Sequence, residues 1–193
     1  MSRLASTASL LLLLGLGACG NMPSLASMMP TEQTANLPDD AYSGAADPMR
    51  SAINNTTIAF SATSQLAGRP AQAARAVAEM EYLKVEITTN PRSFGGSTTA
   101  STIFPSAQQE WRRALGIAPT AAPQAVIDSM FAVVRALNGG QRQSAEVVLS
   151  QPIFTLGGPA TLARLANLPS LPVTNNAAQE AGRVLRRTGL GRF

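Results

Sequence analysis

Few residues in this chain have the chemistry that a catalytic or metal site needs. Histidine is absent, and Cys19 is the one cysteine in 193 residues. That excludes the usual zinc ligand sets and the histidine-based triads. Lys84, the one lysine, follows no glycine-rich turn, so no phosphate loop is present. There is no Gly-x-Ser-x-Gly elbow, and Asp39-Asp40 lacks calcium-loop spacing. Carboxylates and arginines remain. Glu110, beside Trp111, could serve as a general acid. The plainer account places it in the first turn of a short helix, where the dipole favours a negative charge. Glu79, Glu81 and Glu86 have Arg75 and Lys84 within helical reach, and read as a solvated charged face and not as an acid–base pair. Arg183, Arg186, Arg187 and Arg192, with no acid after Glu180, make a basic end. It suits anionic lipid headgroups, cell-wall carboxylates or an acidic partner, or simply follows from cations being favoured at a helix C-terminus. No aromatic interleaves these arginines, so nucleic acid is not an expected partner. The sequence thus points to no catalytic residue, no metal and no dissociable cofactor.

Cys19 is the exception, because of what precedes it. Arg3 gives a positive start, and Leu4 to Leu16 is an apolar run closed by the small residues Gly17 and Ala18. The run is shorter than the ~20 residues of a membrane-spanning helix and has the form of a signal-peptide core. In its first tenth the chain resembles a bacterial lipoprotein: Leu16, Gly17, Ala18 and Cys19 match the four positions of the lipobox. The resemblance implies cleavage between Ala18 and Cys19, a diacylglyceryl thioether on Cys19 and N-acylation of the new terminus. Two or more acyl chains hold a protein stably on a bilayer, where one holds marginally. Gly20 stands where an inner-membrane retention signal has Asp, which favours the outer membrane, facing the periplasm. The alternative is an ordinary cleaved signal with an incidental cysteine, but a lone free thiol is an odd choice in an oxidising compartment. Lipoproteins of that compartment include helical peptidoglycan lyases that use a single Glu. Nothing around Glu110 resembles their Glu-Ser signature or groove motif.

The remaining elements must hold whatever this anchor carries. The chain after the signal has ordinary one-domain size, and its core must hold without a disulfide. Residues 19–47 carry Pro23, Pro30 and Pro38 among small polar residues and read as a lipidated, disordered tether. Asp47-Pro48 then starts a helix with a buried stripe through Ile53, Phe60 and Leu66, ending at Gly68. Arg69-Pro70 opens a second helix, with Val77, Met80, Leu83 and Ile87 inward, stopped by Asn90-Pro91. Residues 92–104 read as a long loop. Within it Thr102-Ile103-Phe104 has strand-like residues, as has Ile153-Phe154-Thr155; they could pair as a ribbon or plug the core. Pro105 to Leu115 reads as a short helix with Ser106 and Gln109 at capping-box spacing, ended by Gly116. Further helices follow over 120–138, 143–149 and 158–168, and from near Thr174 to Arg187.

The expected fold is all-α: a small orthogonal or bundle-like packing of about six to seven helices built around two helical hairpins. The expected division is 1–18 signal, 19–47 tether, 48–188 helical domain and 189–193 basic tail. One oddity stands out, for residues 51–68 carry no charge. A rim helix normally shows charges on its wet face. Either this helix is central, the favoured reading, or its outer face meets an envelope partner or a second copy. The expected function is a non-catalytic structural or adaptor lipoprotein of the cell envelope. The alternatives are a carrier of an apolar ligand and, more weakly, a cell-wall enzyme using Glu110.

Overall fold

The computed structural model describes residues 34–42, 47–92 and 94–188. Among them are seven α-helices and no strand: α1 (Pro48–Ser61), α2 (Pro70–Thr89), α3 (Thr98–Leu115), α4 (Pro123–Asn138), α5 (Arg142–Val148), α6 (Gly158–Ala166) and α7 (Pro172–Thr188). The helices pack against one another as an all-α bundle. Ala18, Cys19, Arg192 and the basic tail lie outside the described residues. No helix among the described residues is long and apolar enough to cross a membrane.

The centre is α2. It packs against α1, α3, α4 and α6, while α7 lies on α1 and α3, and α5 on α4 and α6. Residues Ala76 to Leu83 of α2 are all buried, so it has no wet face over two turns. Small residues make this possible: Ala73, Ala74, Ala76 and Ala78 let neighbouring helices come close on several sides. Trp111, Phe60, Phe94, Phe104 and Phe131 fill the interior around it.

Local signals set most helix ends. The Asp47 carboxylate accepts the Met49 amide at 3.0 Å, and Pro48 follows at the first helical position. Gly116 ends α3 in a left-handed conformation at φ 65°. Where α5 and α6 meet, a Cβ on Gly158 would fall on the Glu146 carbonyl, so the crossing needs glycine.

Four expectations are corrected. First, α1 stops at Ser61, and Thr63–Leu66 continues as a 3-10 turn that carries Leu66 into the core. Second, residues 98–104 are helix, not loop. Ser97 caps α3 by accepting the Ala100 amide at 3.2 Å, and Pro105 lies inside the helix with Ser106 and Gln109. The stripe Ala100, Phe104, Ala107, Trp111 and Leu115 repeats at three and four residues and is fully buried, and this burial outweighs the weak propensity of the Ser/Thr run. Phe154 therefore pairs not with Thr102–Phe104 but with Ile117, in one isolated antiparallel bridge. Third, residues 34–42, expected within the tether, lie on the domain: Ala35, Leu37 and Ala41 are buried. The Asn36 amide donates to Gln124 at 2.8 Å, and Arg135 pairs with Asp40 at 3.1 Å. Fourth, α1 is not central. It is held by α2 on one side and α7 on the other, and Asn54, Asn55, Ser61, Ser64 and Gln65 are exposed.

Candidate functional site

The carboxylates expected to be solvated are the most informative side chains in the structure. Glu79 and Glu81 are 1% and 0% exposed. They lie two residues apart on α2 and so project from different sides of it, toward different neighbours.

Glu81 faces α3 and is fully satisfied. Its Oε1 accepts the Trp111 indole N–H at 2.9 Å and Arg112 Nε at 2.7 Å. Its Oε2 accepts from the second Arg112 nitrogen at 2.7 Å and from Gln108 at 2.8 Å. The remaining guanidinium nitrogen donates to the carbonyls of Pro119 and Ala121 at 3.0 and 2.9 Å. A buried ion pair holds only when such further bonds offset desolvation. Here they tie α2, α3 and the turn before α4 together, and leave Glu81 no free lone pair for chemistry.

Glu110 is also spoken for. Its carboxylate accepts the Val173 and Thr174 amides at 3.3 and 2.7 Å and the Thr174 hydroxyl at 2.7 Å. It thereby caps the first turn of α7, a use of negative charge at a helix N-terminus, though of a different helix from its own. Of the basic residues, Arg183 pairs with Glu180 at 2.9 Å, and Ser97 donates to the same carboxylate at 3.2 Å. Arg183 and Arg187 share a cleft with residues 95–99; Arg186 is exposed but does not line it.

Glu79 is the unsatisfied one. It faces α1, where its Oε1 accepts Asn55 Nδ2 at 2.9 Å, and it also accepts Arg75 Nε at 3.1 Å from one turn back on α2. Arg75 in turn donates to the Ala41 carbonyl, which fixes its direction. The other oxygen, Oε2, is out of water and has no hydrogen-bond partner. Burial pushes the Glu79 carboxyl up from 4.5 to about 7, and the bonds from Asn55 and Arg75 and the Arg75 charge only partly offset it. Near neutral pH the group therefore passes between a neutral acid and an anion. A pocket of about 280 Å³ lies over it between α1 and α2, lined by Asn55, Ile58, Gln65, Arg69, Gln72 and Arg75 among others. A buried carboxyl with a shifted pKa beside a cleft is a candidate functional position. This one can take up a proton, or accept an N–H once its covering side chains move aside. No group of three or more potential metal ligands occurs among the described residues.

The chain matches no protein-family model, no curated protein and no solved structure.

Burial of Glu79 and Glu81 is not legible from the local sequence, because their partners Asn55, Trp111 and Arg112 are distant in the chain. A signal was present. The alanines of α2 leave room for neighbours on more than one side, and the same helix carries charges at 75, 79, 81 and 84.

Proposed function

We propose that this chain is a lipid-anchored protein of the bacterial envelope, held by acyl groups on Cys19, and that its helical domain works by binding and not by catalysis. The observation that carries the reading is the outer face of α1. Beyond Arg50, from Ser51 to Ser61, it has no charge, it leaves Ile58 67% exposed, and through Asn55 and Ile58 it is continuous with the Glu79 pocket. Three helical turns without charge and with a protruding aliphatic side chain suit contact with another protein. Its small polar side chains, Asn54 and Ser61, with Ser64 in the 3-10 turn that follows, let a second backbone approach closely. Glu110 supports the same reading, because both of its oxygens are occupied by α7.

A photo-crosslinking residue at Asn54 or Ser61, on the full chain in intact membranes, tests this. The expected outcome is one discrete adduct, of a partner or a second copy, lost on Ile58→Arg while the melting temperature is unchanged. Adducts from control positions on α5 but none from α1 would refute the binding face. An intact mass without acyl addition would refute the anchor.

A further inference from the structure

We propose that the cleft between α2 and α3, beside the turn at Gly116, binds a small phosphate monoester. The cleft has a volume of about 620 Å³, which is in the range of small-molecule sites. Two cations reach it from two helices: Lys84 from α2 and Arg113 from α3. Neither forms an ion pair or hydrogen bond through its side chain with any described residue. No carboxylate lines the cleft. That distinguishes it from the α1–α2 pocket, which holds Glu79, and from the α7 cleft, where Arg183 is already paired with Glu180.

Arg112 also lines the cleft, but its charge is balanced by Glu81 and its N–H groups are taken, so it serves as a fixed wall. Gln108 is held in place by the N–H it gives to Glu81, and Gln109 stands exposed at the edge. Pro105, Ile117 and Pro119 supply an apolar side. A flexible ammonium and a guanidinium fork facing one space, with amides beside them, suit a group with several anionic oxygens. Two uncompensated cations balance a phosphate monoester, and the apolar wall suits an aliphatic body attached to it. The ligand is thus a phosphate ester, whether the headgroup end of a lipid or a soluble ester. Neither the Cys19 anchor nor the α1 face contributes to this cleft.

Lys84 makes the test specific. It is the one lysine in the chain, so reductive methylation with a carbon-13 label, which keeps the charge, gives a single side-chain resonance apart from any free amino terminus. The full chain in a neutral detergent is titrated with glycerol 3-phosphate, with dihexanoyl phosphatidic acid and with uncharged dihexanoylglycerol. The expected result is a saturable Lys84 shift with dihexanoyl phosphatidic acid, weakened about ten-fold by Arg113→Gln; Arg113 is exposed, so the variant keeps the fold. An equal response to glycerol 3-phosphate identifies a soluble ester as the ligand, and a response to the acylated form alone identifies a lipid. Three outcomes overturn the proposal: no saturable shift with either phosphate, an equal shift with dihexanoylglycerol, or affinity unchanged in Arg113→Gln.

Discussion

Glu79→Gln should make the protein more stable at neutral pH and remove part of its pH dependence. In the unfolded chain this carboxyl titrates near 4.5, and in the fold near 7. Below 4.5 both states hold the proton and the group adds nothing to the balance. Between the two values the folded state binds the proton more tightly, so stability falls as pH rises, and the full loss is reached above 7. Each factor of ten in proton affinity is about 1.4 kcal/mol, so the loss is about 3 kcal/mol. Glutamine is neutral throughout. Its carbonyl keeps the acceptor for Asn55 and Arg75, and its N–H₂ replaces the oxygen that has no partner. Burial raises Glu86 as well, in the same sense, but that contribution is common to both proteins and cancels in the comparison. The assay is urea unfolding of the full chain followed by Trp111, the one tryptophan and 0% exposed. Wild type should lose about 3 kcal/mol more than Glu79→Gln between pH 4.5 and 8, roughly 10 °C in melting temperature for a domain of this size. The variant should be the more stable of the two at pH 8. Parallel pH profiles would refute the buried, half-protonated carboxyl.

Three further substitutions separate structural charge from functional charge. Arg112→Met leaves Glu81 buried without its cation and two carbonyls without a donor, and should cost about 3–5 kcal/mol in urea unfolding. Adding Glu81→Leu should recover much of that loss, and no recovery in the double variant would show that the guanidinium acts chiefly through the carbonyls of Pro119 and Ala121. Glu110→Gln should cost about 1 kcal/mol through the weakened cap on α7 and leave cell-wall turnover in intact cells unchanged. Loss of turnover with stability intact would restore the enzyme reading.

How much of this was legible in the sequence depended on how far apart the interacting residues stand in the chain. The Asp47 cap, Pro48, Pro70 and the stop at Asn90-Pro91 act within one turn, and each is where local chemistry puts it. The α3 start was not legible, because Thr98 to Phe104 has weak helix propensity and Pro105 resembles a first helical residue. What makes the segment helical is the burial of Ala100 and Phe104 against the rest of the bundle, an energy no local window contains. The order of burial was inverted for the same reason. Absence of charge singled out α1 as central, yet the structure puts charge-bearing α2 in the middle and leaves a face of α1 open. A carboxylate is tolerated inside when donors surround it; beside the local Arg75, Glu79 takes its donor from 24 residues away, and Glu81 takes its own from about 30. The sequence by itself determined the helical class, most helix boundaries and the Leu16–Cys19 pattern, since each rests on neighbours along the chain. Only the tertiary structure decided which helix is central, which acids are spent on the fold, and that Glu79 is left with an oxygen to spare, because each of these depends on which distant side chains arrive beside it.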